Sequence, residues 1–147
     1  MSESRDLKGY GPNPPNFLWP GGNRLALSIV FNYEEGSEHS VVTDGMVETI
    51  GEFGPVDIKI RDVGMESVYD YGQRVGIWRI LSVLRKYNIK ATFYATAEAL
   101  EANDIAAKTI VRDGHEICDH GYSWTELFKM TKEEEKEEIK RSVNLIE

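Results

Sequence analysis

From residue 74 onward the chain alternates between two hydrophobic periods, and few folds survive that constraint. Arg74 to Tyr87 carries Ile77, Leu81 and Leu84 at helical spacing, with Ile80 and Val83 alongside, which predicts an amphipathic helix. Asn88 follows as a left-handed stop. Ala91 to Ala95 is a short β-prone run. Asp104 to Asp113 predicts a second helix, capped by Asn103 and ended by Gly114. His115 to Trp124 then reads as a strand running into a loop. Thr131-Lys132-Glu133-Glu134 is a capping box that opens a last helix with Ile139, Val143 and Ile146 on one face. Helices alternating with short strands imply βα units around a parallel sheet.

The first strand of that sheet is sought upstream. Arg24 to Tyr33 is almost continuously apolar and suits a strand buried on both faces. It stops at Glu34-Glu35-Gly36. Before it, residues 1–23 hold prolines at 12, 14, 15 and 20, which fix φ and remove amide donors. They are read as an extended arm, with Tyr10, Phe17 and Trp19 to anchor it. Thr43 to Glu52 or Val56 to Asp62 could each hold a short element. The expected architecture is α/β. Residues 24–147 would form the N-terminal part of a (β/α) barrel of about 250 residues. The last helix meets no stop signal before Glu147, so roughly half of a truncated barrel is expected. Open sheet edges imply a homo-oligomer or a companion chain completing the barrel.

Composition narrows the function. Hydrophobic residues make up 41% of the 147 and charged residues 29%, which is globular and not disordered. The net charge of −8 argues against nucleic acid and anionic membranes as partners. No apolar run approaches the ~18 residues of a membrane span. The acidic start has no signal-peptide core, and a single cysteine makes no internal disulfide. The cytoplasm is the expected compartment.

In a barrel of parallel strands the active site lies at the strands' C-terminal ends. Glu34 and Glu35 end the first strand, and His120 ends the third. Paired carboxylates there suit a general base with a positioning group, or a base with a metal ligand. The same pattern fits two exposed loop glutamates. Neighbouring strand residues face opposite ways unless the chain bends, and Gly36 permits a bend. His115 and His120 are five apart, which excludes the helical H-E-x-x-H zinc site. His115 starts its strand and is read as structural. His39 is placed at the surface, and Cys118 is read as a small buried apolar group. Tyr69, Tyr71 and Arg74 precede the first clear helix, whose N-terminus could meet a substrate anion.

These residues carry a resemblance. A strand ending in an acidic pair, then Gly114-His115-Glu116-Ile117 and His120-Gly121-Tyr122-Ser123, is similar to the polysaccharide deacetylase family with its NodB-type distorted (β/α)7 barrel. The family's acidic pair supplies a catalytic base and a metal ligand, which fall on Glu34 and Glu35. Its second motif supplies two metal-binding histidines. The first falls on His120, but the second falls on Trp124, which offers no lone pair. The chain more closely resembles the metal-independent allantoinase branch. The similarity runs through Tyr10-Gly11, Asn13-Pro14-Pro15, Trp19-Pro20-Gly21, Asn32-Tyr33-Glu34-Glu35-Gly36, Tyr69, Tyr71-Gly72, Arg74, Gly76, Trp78-Arg79 and the stretch from Asp113 to Trp124.

The resemblance implies a hydrolase of non-peptide carbon–nitrogen bonds acting on a small ureide. Glu34 would activate water. Glu35 and His120 would orient substrate or stabilise the oxyanion. Trp124 would form an apolar wall, and Tyr71 and Arg74 would bind substrate. No cofactor is expected. The alternative is a divalent metal such as zinc at Glu35 and His120, in a deacetylase of N-acetylated sugars. A further alternative is an inactive half that needs a companion chain.

Overall fold

The computed structural model describes residues 7–46 and 61–147. Its centre is a three-stranded parallel sheet in the order β1 (Val30–Tyr33), β2 (Thr92–Ala95), β3 (Glu116–Asp119). The register sets Asn32 beside Tyr94 and Tyr94 beside Cys118, with Phe31, Phe93 and Ile117 in the row before. Because side chains alternate across a sheet, Phe31, Tyr33, Phe93, Ala95 and Ile117 share the outer face. Asn32, Tyr94 and Cys118 share the inner face.

The outer face is the packed one. Phe93 and Ala95 are fully buried, in one cluster with Ile77, Leu81 and Ile110 from the helices. α2 (Ile77–Tyr87) turns Ile77, Leu81 and Leu84 inward, as its period predicts, and Asn88 ends it with φ +52°. α4 (Asp104–Arg112) follows as expected. The Asn103 side chain accepts from the Ala106 N–H at 3.1 Å, and Gly114 takes φ +74° just beyond. α5 (Lys132–Ile146) opens on the full capping box at Thr131 and Glu134.

The structure corrects several expectations. The first strand covers Val30–Tyr33 and not Arg24 to Tyr33, and it is not buried on both faces. Leu25 and Leu27 are exposed, and of β1 only Tyr33 is buried. β1 is the edge of the sheet, and of the residues before it Ile29 meets β2, its carbonyl accepting from the Thr92 N–H at 3.0 Å. The helix expected from Arg74 starts earlier. α1 (Val63–Tyr71), capped by Asp62, runs through a π-turn at Gly72–Gly76 into α2. Gly64, Gly72 and Gly76 each count against a helix locally and concealed it. α3 (Ala97–Ala102) was not foreseen. It is too short and alanine-rich to show a period.

The N-terminal arm is irregular, with one bridge between Trp19 and Asn23 around a 3₁₀ turn at Pro20–Gly22. Tyr10, Phe17 and Trp19 stay exposed and do not anchor it. Phe17 and Trp19 meet only edge to face, 5.5 Å apart. Of the two elements sought at Thr43–Glu52 and Val56–Asp62, most lies outside the described residues. Residues 43–45 form a turn on the Ser40 carbonyl, and Asp62 is the cap of α1. No helix among the described residues is long and apolar enough to cross a membrane.

Candidate active site

β1 brings the acidic pair to the C-terminal end of the sheet, where Gly36 bends the chain with φ +106°. The two carboxylates part there. Glu34 turns to the mouth: its Oε1 lies 3.2 Å from His120 Nε2, and its Oε2 accepts from Trp124 Nε1 at 2.5 Å. Glu35 turns into the wall, against Gly72 of the π-turn. A Cβ at Gly72 would lie 2.1 Å from Glu35 Oε1, so the carboxyl sits where only a glycine leaves room.

The backbone that presents both glutamates is pinned on each side. The Ser37 N–H donates to the Glu34 carbonyl at 2.9 Å, and the buried hydroxyls of Ser37 and Thr96 share a 2.6 Å hydrogen bond. On the other side the Gln73 side-chain amide donates to the Glu35 carbonyl and, at 3.2 Å, to Ala99 O. Tyr33 donates its hydroxyl to Gln73 Oε1 at 2.6 Å, and Asn103 Nδ2 donates to the same oxygen at 3.2 Å. Gln73 thus ties β1 to α3 and α4 through the π-turn.

Burial sets the electrostatics of this wall. It pushes the Glu35 carboxyl above the ordinary glutamate range, and repulsion from Glu38 and Glu34 adds to that. Hydrogen bonds from backbone N–H groups oppose the shift without cancelling it. Burial likewise raises the Tyr33 hydroxyl, helped by the nearby Glu35 charge.

The His120–Trp124 loop is held as firmly. Asp119 Oδ1 accepts from Gly121 N at 2.9 Å and from the buried Ser142 Oγ of α5 at 2.5 Å. The N–H groups of Ala97 and Glu98 donate to the carbonyls of Gly121 and Tyr122 at 3.0 and 2.9 Å. Tyr122 donates to Glu101 at 2.9 Å, with the Arg141 guanidinium 3.4 Å above its ring. Two further rings meet the site: Tyr69 of α1 stands edge-on to Trp124 at 5.9 Å, and Tyr94 stacks on His120 at 6.0 Å.

The structure therefore brings Glu34, His120 and Trp124 together. It turns Glu35 away from the group it was expected to join. Trp124 is more than an apolar wall, since its indole N–H is a fixed donor to Glu34. Tyr71 and Arg74 do not precede a helix N-terminus. Tyr71 closes α1 and Arg74 lies in the π-turn, so the expected anion site is not formed there. Tyr71 is exposed and accepts from Arg79 Nη1 at 3.2 Å, and Arg74 pairs loosely with Asp70 at 3.7 Å. Cys118 is exposed and not buried, because it lies on the uncovered inner face of the edge strand.

His115 is structural, as expected. Its Nδ1 accepts from the Ala91 N–H at 3.3 Å, and its ring lies 5.4 Å from that of Phe93. His39 is half-buried and bonds Asp44 at 2.5 Å. Tyr94 and Ser142 were missed. Parity along β2 could have found Tyr94, but no local pattern points to Ser142.

A divalent ion fits this donor set poorly. Glu35 faces Gly72 and not His120, and one Glu34 oxygen is taken by an indole N–H. Among the described residues no three His, Cys, Asp or Glu side chains gather as ligands, whereas zinc sites normally take three.

Known proteins resemble this chain along its length. Residues 64–147 match the polysaccharide deacetylase family. A Schizosaccharomyces pombe protein described as a polysaccharide deacetylase is 33% identical over the whole chain, which spans 48% of that relative. The peptidoglycan deacetylase of Helicobacter pylori is 36% identical over 76 residues, 52% of this chain and 26% of that protein. Among solved structures, the PuuE allantoinase superposes with a TM-score of 0.83 at 37% identity, covering 99% of this chain and 50% of its own. A Pseudomonas aeruginosa PAO1 protein described as a polysaccharide deacetylase also gives 0.83, at 39% identity, covering 98% and 49%. The fold is thus the NodB-type barrel, of which this chain spans about half the length of its relatives.

Proposed function

The chain belongs to the polysaccharide deacetylase family, and we propose that it serves a hydrolase of non-peptide carbon–nitrogen bonds that opens a cyclic amide or ureide, as an allantoinase does. The observation that carries this reading is the contact of Trp124 Nε1 and His120 Nε2 with the two oxygens of Glu34. An indole N–H does not titrate and binds no metal. It can hold one oxygen of a general base while the other, beside His120, meets the attacking water.

In this reading Glu34 takes a proton from water as the water oxygen attacks the carbonyl carbon. His120 keeps its Nε2 beside Glu34 Oε1 and shares that ring N–H with the oxyanion that forms next to it. The carbon–nitrogen bond then breaks, and the proton held by Glu34 passes to the leaving nitrogen. Similarity to the allantoinase structure supports this substrate class. Glu35 supports the site from the wall, and Tyr71 and Arg74 remain candidate contacts at its rim. We place the protein in the cytoplasm, in keeping with the exposed free thiol of Cys118.

The test is allantoin hydrolysis by the protein with and without a chelator. Activity that survives chelation, with Glu34→Gln lowering turnover by about 10²- to 10⁴-fold, supports the reading. Full loss on chelation, restored by zinc, points instead to the sugar deacetylase that the peptidoglycan-acting relative suggests. Turnover that appears only with a second polypeptide would identify a companion chain completing the barrel, in keeping with a chain spanning half of its relatives. A second copy of the chain could instead cover the open sheet edges, and a sedimentation measurement distinguishes the two.

A further inference from the structure

We propose that Tyr94 is a positioning residue of this site, fixing the plane of the His120 imidazole from which Nε2 meets Glu34. The inference rests on the proposed hydrolase reading for its consequence in turnover, but not for its geometry.

Tyr94 lies on the inner face of the sheet, in register with Asn32 on one side and Cys118 on the other. Glu34 and His120 are the next inward positions on β1 and β3, one step nearer the mouth. Thr96, just beyond β2, is instead fully buried with its hydroxyl bonded to Ser37. The Tyr94 ring meets His120, with centroids 6.0 Å apart and planes 21° from parallel. That is an offset stack of the favourable kind.

His120 needs such a brace. Its side chain is 44% exposed, and the contact that aims it, to Glu34 Oε1, is a single one at 3.2 Å. One contact leaves the imidazole free to pivot about the line joining the two residues. A ring face against Tyr94 removes that freedom and keeps Nε2 pointed at the base. Trp124 is held in the same way on the other side of Glu34, by the edge of Tyr69 at 5.9 Å. Each donor to the base thus has an aromatic neighbour, drawn from β2 in one case and α1 in the other.

The test compares Tyr94→Leu and Tyr94→Phe in the 147-residue chain. His120 ring-proton resonances are identified by their loss in His120→Gln. In the parent and in Tyr94→Phe these resonances should be shifted upfield by the stacked ring, and in Tyr94→Leu the shift should vanish. With allantoin, Tyr94→Leu should lower kcat about three- to tenfold with KM little changed, and Tyr94→Phe should restore it. Should Tyr94→Leu fail to fold, Tyr94→Gln gives the same comparison. A His120 resonance unmoved in Tyr94→Leu overturns the proposal. So does a kcat that Tyr94→Phe fails to restore while the shift is kept, since that would assign the effect to the hydroxyl. Absence of allantoin turnover in every form would overturn the proposed activity and leave the resonance shift to decide the positioning role.

Discussion

Phe93 and Tyr94 are neighbours in sequence and opposites in surroundings. Phe93 is 0% exposed and stacks on Phe31 at 5.5 Å, while Tyr94 is 37% exposed and touches the site. The contrast extends along the sheet. The outer face, with Phe31, Tyr33, Phe93 and Ala95, is packed by the helices. The inner face, with Asn32, Tyr94 and Cys118, is open and carries Glu34 and His120 at its upper end. One face holds the fold together and the other faces the candidate site. The alternation of a strand keeps the two tasks apart at a separation of one residue.

The division is open to direct attack. Phe93→Ala should cost about 3–5 kcal/mol of stability in urea unfolding, whereas Tyr94→Leu should cost under about 1 kcal/mol. Equal losses would abolish the distinction between the faces.

The titratable groups on the packed side give a finer measure. Burial holds His115 below the ordinary histidine range, and the positive charge of Lys90 pushes the same way. The folded chain therefore binds that proton less readily than the unfolded chain. The stability tied to neutral His115 is present above about pH 6.5 and is lost as pH falls below it, by at most about 1.4 kcal/mol per pH unit. His115→Gln, which keeps an acceptor for the Ala91 N–H, should flatten that acid-side slope in denaturant titrations.

Glu35 runs the other way. Its carboxyl holds a proton more tightly when folded, so stability declines as pH rises above about 4.3, the ordinary glutamate value. Glu35→Gln should raise the melting midpoint at pH 7.5, and the gain should fade near pH 4. A lower midpoint at pH 7.5 would show that the carboxylate is stabilised in the wall by something more than the contacts described.

The smallest effect belongs to the open side. Cys118 should react with a thiol reagent in the native chain at nearly the rate of the unfolded chain, with little change in melting. Strong protection would mean that the inner face is covered in solution, by a second copy or another chain.

Much of this was legible in the sequence. The parallel sheet followed from periods that switch between helix and strand. Asn88, Asn103, Gly114 and Thr131 marked their boundaries with chemistry that acts locally. The meeting of Glu34 and His120 was legible because a parallel sheet brings the C-terminal ends of its strands to one side.

What was hidden depends on distance or on competing signals. The glycines that interrupt α1 and the π-turn mask a helix that tertiary contacts hold in place. The division of Glu34 from Glu35 depends on a slot made by Gly72, far away in sequence. Trp124 was visible as a ring, but its N–H contact with Glu34 needs two strand ends folded together. Burial of β1 was overstated, because a continuous apolar run does not by itself say which neighbours cover it.

The π-turn at Gly72–Gly76 has a consequence for editing this chain. There the Ile77 N–H reaches back five residues to the Gly72 carbonyl, which is one residue more than an α-helix spends on the same link. Removing one residue between Gly72 and Gly76 would restore the ordinary link and leave α1 and α2 in nearly the same phase, because the π-turn takes up its extra residue within one turn. What would go is local: the bulge that sets Gly72 against the Glu35 carboxyl and the Gln73 amide against the Glu35 and Ala99 carbonyls. The turn behaves as slack in a rope: a one-residue deletion there should leave both lengths of helix well formed and in phase, and remove only the wall against Glu35.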